Sequence, residues 1–292
     1  MSLRSFFVAG LAFVGGLFLL LILIVIVGLF LAFKGAPSFP SGNRIGIVEI
    51  KGLISESDNT LKHLRQFSRD DSIKAIVVRI DSPGGAVGAS QEIYRELKRI
   101  SKQKPVVASM GSVAASGGLY VALGASKIVA SPGTVTGSIG VMIQIPNVQK
   151  LLERVGVEAT VLKSGPFKDT GSLFRPLTEE EKKVLMQTID DIYNQFVRAI
   201  VESKGIPEEQ VRSFADGRVF TGKQAHEYGL VDQLGNFEDA LRLALKLAGL
   251  SGPPQLVYPK EEKPWLKWLM TKNMASKGLV FLFSPLYLTE TR

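Results

Sequence analysis

The chain has 292 residues, a net charge of +8 and no cysteine, which excludes disulfide staples, a thiol nucleophile and a thiolate-bound metal. Hydrophobic residues make up 46% of it and the mean hydropathy is +0.19, high for a purely soluble protein. The positive charge is dispersed and carries no recognition motif, so nucleic acid is not an expected partner.

The surplus hydrophobicity sits at the start, where Ser5 to Phe33 contains no charged residue. That run exceeds the about 20 apolar residues that cross a bilayer core and the roughly 7–15 at the centre of a cleavable signal peptide. The expectation is an uncleaved single-pass transmembrane helix, with a cleaved signal as the competing reading. Arg4 and Lys34 flank the run evenly, so charge encodes orientation weakly. The short N-terminal stretch favours an extracytoplasmic placement of the rest. Three segments are expected: anchor and start of linker over 1–36, a catalytic domain over 37–250, and a Pro-rich linker with an aromatic, basic tail over 251–292.

After the linker GAPSFPSG, β-branched runs alternate with helical patterns. Strands are predicted at Arg44–Ile50, Ile73–Ile80, Pro105–Ser109, Lys127–Ala130 and Val157–Leu162. Ala89–Ser101 carries Ile93, Leu97 and Ile100 at helical spacing. Continuous apolar strands with helices between them imply parallel βαβ crossovers, hence an α/β domain. Thr178–Ser203 is the clearest helix. Thr178 and Glu181 are spaced as a capping box, Leu185, Met186, Ile189, Ile192, Phe196 and Ile200 form one apolar stripe, and Gly205 ends it.

Three segments carry chemistry. DSPGG (Asp81–Gly85) follows the second predicted strand, and its glycines let backbone N–H groups approach a developing oxyanion. GSVAASGGLY (Gly111–Tyr120) places Ser116 between a strand and a helix, among residues too small to shield it. The base is harder to find. His63 lies in a charged helix and His226 in an uninformative one, which disfavours a Ser–His arrangement. A neutral lysine can serve instead. A lysine of ordinary pKa, about 10.4, is neutral in roughly one molecule in 2,500 at pH 7, and lowering that pKa to about 8 takes ~3.3 kcal/mol, which desolvation can supply. Lys163 and Lys168, both in KSGPFKDTGSLFR, are the candidates, and the residues alone leave both open.

These segments, with SPGTVTGSIGV (Ser131–Val141) and VFTGKQAHEYGLVDQLG (Val219–Gly235), resemble the signal peptide peptidase A family, S49 among the serine peptidases, over about Ile45–Leu250. The resemblance implies a crotonase/Clp-like α/β spiral of βαβ units. It implies Ser116 as nucleophile, Lys168 rather than Lys163 as general base, Ser138 as hydrogen-bond partner of that lysine, and the amides of Gly85 and Gly117 as oxyanion hole. It further implies no cofactor, hydrophobic peptide substrates such as remnant signal peptides, contact with membrane lipid, and a homo-oligomer whose active site is shared between subunits. Leu173 departs from the family pattern, which has proline there. A crotonase-like acyl-CoA enzyme and a non-catalytic scaffold are the competing readings.

Overall fold

The computed structural model describes residues 13, 15–28 and 42–259. The chain divides into two compact units, Met1–Gly42 and Asn43–Arg292. In the first, residues 15–28 are helical and exposed. Among the described residues no helix is long and apolar enough to cross a membrane. Much of the expected anchor, and the aromatic, basic tail from residue 260 onward, lie outside the described residues.

The second unit is a mixed α/β domain. Its strands are β1 (Arg44–Lys51), β2 (Ile73–Ser82), β3 (Val106–Ala115), β4 (Lys127–Ala130), β5 (Val135–Gly137), β6 (Val219–Thr221), β7 (Gln233–Leu234) and β8 (Gln255–Val257). Its helices are α1 (Asp58–Arg69), α2 (Val87–Ile100), α3 (Gly117–Ala122), α4 (Gln149–Arg154), α5 (Glu179–Lys204), α6 (Glu208–Phe214), α7 (Gly222–Glu227) and α8 (Phe237–Leu247). The sheet runs β6-β5-β3-β2-β1-β8, with β4 joined to β3 and β7. Every pairing is parallel except β5 with β6.

The period of two along β2 sorts its side chains between two faces. Ile76, Val78 and Ile80 join Leu64, Phe67, Ile93 and Leu97 of α1 and α2 in the larger core. Ala75 and Val77 meet Ala240, Leu241, Ala244 and Leu245 of α8 on the other face. Both faces are covered, which explains the continuous apolar stretch Ala75–Val78 at the centre of β2. α1, the charged helix that carries His63, buries Leu61, Leu64 and Phe67.

Three expectations are corrected. Val157–Leu162 is not a strand: no partner edge reaches it, and Val157, Val161 and Leu162 are exposed, the last at 95%. The apolar stripe of α5 is buried only in its C-terminal half, at Phe196, Val197, Ala199 and Ile200, while Met186 is 51% exposed. Finally, the stretch after residue 250, read as linker, contributes β8, which adds to β1 as an edge strand.

The ends of α5 are fixed as its sequence dictates. Thr178 and Glu181 form the capping box, and Gly205 closes the helix at φ 66°. Lys204 in the last turn reaches Asp232 at 2.5 Å, and the same carboxylate accepts from the Ile128 amide at 2.8 Å. Burial pushes the Lys204 ammonium below its ordinary pKa. Burial alone would raise Asp232, but Lys204, Ile128 and Lys127 outweigh it and hold it low. This lock holds the buried half of α5 over the sheet.

Candidate active site

Ser116 stands between β3 and α3 with φ 50° and ψ −118°. Those angles belong to the first central residue of a type II′ turn, a position glycine normally takes. The strained residue is held from both sides. Its amide donates to Gly137 O at 2.8 Å, and its carbonyl accepts from Tyr120 N at 2.9 Å. The residues around it are small because their neighbours leave no room: a Cβ on Gly117 would lie 2.5 Å from Ser90 Oγ, and one on Gly118 would lie 2.8 Å from Ser82 O.

The DSPGG turn is folded against this junction. Gly84 N donates to Ser82 Oγ at 3.1 Å, Ile54 N donates to Gly84 O at 2.9 Å, and Ala86 N donates to Ile54 O at 2.7 Å. Gly84 has φ +105°, and a side chain there would sit 2.6 Å from Gly117 N and 2.9 Å from Ser116 Cβ. Among the described residues, none of the backbone hydrogen bonds outside helices and strands uses the amides of Gly85 or Gly117. Both glycines and Ser116 line one cleft of about 30 Å³, walled by Val87, Ser90, Tyr120, Gly140, Val141, Ile192 and Phe196. The walls are mostly apolar. Tyr120 packs on Phe196 with ring centroids 4.8 Å apart, and burial pushes its phenol above the usual range.

Ser138 lies at the edge of this arrangement. It too has a positive φ, 50°, its amide donates to Arg218 O at 2.8 Å, and the preceding residue supplies the carbonyl that holds Ser116. Lys168 does not join the group. It is exposed in a turn after Gly165, its amide 3.3 Å from Gly165 O, and it is not among the cleft residues. Its ammonium has no hydrogen-bond or ion-pair partner among the described residues.

Lys163, the other candidate, is committed elsewhere. Its ammonium contacts Asp169 Oδ1 at 2.5 Å and Pro166 O at 3.0 Å. Asp169 also pairs with Arg175, which pairs in turn with Glu181 of α5 at 2.5 Å. Arg175 and Lys163 hold the Asp169 carboxyl well below the ordinary range. Arg175, aided by the Thr178 amide, brings Glu181 to about 2. This network shapes the loop that presents Lys168, and only the capping half of it was legible beforehand. Among the described residues no cluster of His, Cys, Asp or Glu could hold a metal ion.

The model of peptidase family S49 matches residues 98–251, a span from the end of α2 to the end of α8. The chain belongs to peptidase family S49. This S49 chain is 48% identical over 209 residues to a putative protease of Synechocystis, covering 71% of itself and 75% of that relative. It is 35% identical over 243 residues to a putative signal peptide peptidase SppA of Enterococcus faecium, covering 80% of itself and 71% of the relative. Protease 4 of Salmonella typhi is 37% identical over 246 residues, 81% of this chain but only 40% of that protein. The Clp protease family model matches residues 47–148, in keeping with a mixed α/β fold of Clp-protease type. A ClpP1 mutant from Listeria monocytogenes superposes with TM-score 0.47 at 23% identity, over 67% of this chain and 94% of that one. The S49 chain is thus a protease by family.

Proposed function

We propose that this S49 protease is a membrane-bound serine endopeptidase that cleaves hydrophobic peptides, remnant signal peptides among them, through a Ser116–Lys168 dyad completed between two copies of the chain. The observation that carries the reading is the junction itself: a strained, accessible Ser116 between two amides that are unengaged among the described residues, in an apolar cleft that none of the described lysines lines. Such a site is complete in all but its base. The segment bearing Lys168 projects with exposed apolar side chains, including Met142 at 85%, Leu162 at 95%, and Phe167, Phe174 and Met186. Monomeric proteins rarely leave apolar surface of this extent uncovered. A second copy packed there would desolvate Lys168 and deliver it to the neighbour's Ser116.

In that assembly neutral Lys168 takes the Ser116 proton as Oγ attacks the peptide carbonyl. The resulting oxyanion accepts from the amides of Gly85 and Gly117, which need no reorganisation as charge develops. Collapse breaks the C–N bond, and the amine leaves with the proton from the Lys168 ammonium. Water, deprotonated by the same lysine, then hydrolyses the acyl-enzyme. Ser138 hydrogen-bonds the lysine and orients it. The small apolar cleft suits a small apolar residue on the acyl side of the cut. A domain start near residue 37, an extracytoplasmic active site and contact with membrane lipid belong to the same proposal, motivated by the apolar run at residues 5–33.

The test is labelling with a fluorophosphonate, followed by peptide hydrolysis assays on variants. The wild type should be labelled at Ser116, and Ser116→Ala and Lys168→Ala should each lose at least ~10³-fold in turnover, a typical scale for disabling nucleophile or base. Lys163→Ala should keep most activity. An active Lys168→Ala beside a dead Lys163→Ala would overturn the assignment of the base.

A further inference from the structure

The pairing of β2 with β3 is not regular. Ile80 lies opposite Met110 and Ser82 opposite Ala114, so two steps along β2 match four along β3. β3 therefore carries two extra residues just before Ser116, and the bulge falls where the strand changes neighbours. Before it, Val107–Ser109 pair with β4; after it, Val113–Ala115 pair with β5. A bulge interrupts the ladder and leaves backbone groups in need of partners. One is met by a side chain: Val113 N donates to Asp81 Oδ1 at 3.0 Å. Two more are met from β5 and the residue before it: Thr134 Oγ1 donates to Gly111 O at 2.8 Å and Thr136 Oγ1 to Ala114 O at 2.6 Å. Gly111 is glycine because the Asp81 carboxylate occupies the space of a side chain: a Cβ there would be 2.7 Å from Asp81 Cγ.

Asp81 also begins the turn whose glycines press against Ser116 and Gly117. We propose that Asp81 is a positioning residue for catalysis: its carboxylate stands in for the missing strand partner, fixes the two-residue bulge, and so sets Ser116 in register with the amide of Gly85. The proposal rests on Ser116 being the nucleophile. It assigns Asp81 no contact with substrate. Its consequence is a loss of chemical rate with little loss of binding, because a misplacement of about 1 Å at a reacting group is enough to cost on the order of 10²-fold.

The experiment uses the full chain and counts active sites by fluorophosphonate titration, so that turnover is expressed per labelled site. Asp81→Ala should lower kcat per labelled site at least about tenfold, leaving KM within about threefold. Asp81→Asn, which keeps an acceptor oxygen for Val113 N–H, should stay within about threefold of wild type. A purely structural role would instead reduce the number of labelled sites and leave turnover per site unchanged, and that result overturns the proposal. Equal loss in Asp81→Asn and Asp81→Ala overturns it too, since charge rather than the hydrogen bond would then matter. Should Asp81→Ala not fold, Asp81→Ser withdraws the oxygen while keeping a polar group, and wild-type turnover per site in that variant refutes the idea. Absence of labelling in the wild type removes the Ser116 reading and this proposal together. Labelling of the wild type with undiminished Asp81→Ala removes this one alone.

Discussion

Replacing Ser116 with glycine should make the protein more stable while destroying its activity. At φ 50° and ψ −118°, a residue with a Cβ carries strain of about 1–3 kcal/mol. Glycine removes that strain but adds about 0.5–1 kcal/mol of chain entropy to be lost on folding. The Ser116 hydroxyl has no hydrogen-bond partner among the described residues, so its removal leaves nothing unpaired. Taking the middle of each range, about 2 and about 0.75 kcal/mol, the net gain is about 1.2 kcal/mol. For a domain of this size each kcal/mol moves Tm by roughly 2–4 °C, so Ser116→Gly should melt about 2–5 °C above wild type. Ser116→Ala keeps the Cβ and the strain and should melt close to wild type. Both variants are inactive, so the comparison isolates the backbone from catalysis. Calorimetry on the three proteins at one concentration decides the matter. A Ser116→Gly protein that melts no higher than Ser116→Ala would show that the junction stores no strain.

Two further outcomes are expected. Ser116→Ala and Lys168→Ala proteins, each inactive, should regain a fraction of wild-type hydrolysis when mixed under conditions of subunit exchange. A mixture that exchanges freely yet stays inactive would place the dyad within one chain. The Asp169 and Glu181 carboxyls lie below their ordinary values, Glu181 at about 2, chiefly through Arg175. Depressed carboxyl pKa values stabilise above the unfolded values, near 4, and that stability is lost as pH falls toward the folded ones. The loop 163–178 should therefore resist proteolysis well into acid, and Arg175→Gln should lose that protection at a higher pH. Superimposable acid profiles for the two proteins would contradict the network's role.

Local chemistry and periodicity are written in a single stretch of chain, and these the sequence settled alone. The continuous apolar stretch Ala75–Val78 of β2 announced a strand covered on both faces, and Thr178, Glu181 and Gly205 announced both ends of α5. The small residues around Ser116 marked it as accessible, and family resemblance then joined motifs that periodicity could not connect. Apolar character by itself does not say what covers a residue, and there the reading failed. Val157–Leu162 has the composition of a strand but no edge to pair with, and the front half of α5 has a core-like stripe that the chain's own core never meets. Tertiary structure alone brought the Gly84–Gly85 turn against Ser116, put Phe196 and Ile192 over the cleft, and tied Lys163 to Asp169. It also revealed the two-residue bulge of β3, because register is a relation between strands and is written in neither one. The same physics explains why Lys168 could not be placed from the sequence. Among the described residues it faces solvent, and the segment that carries it does not say what would cover it.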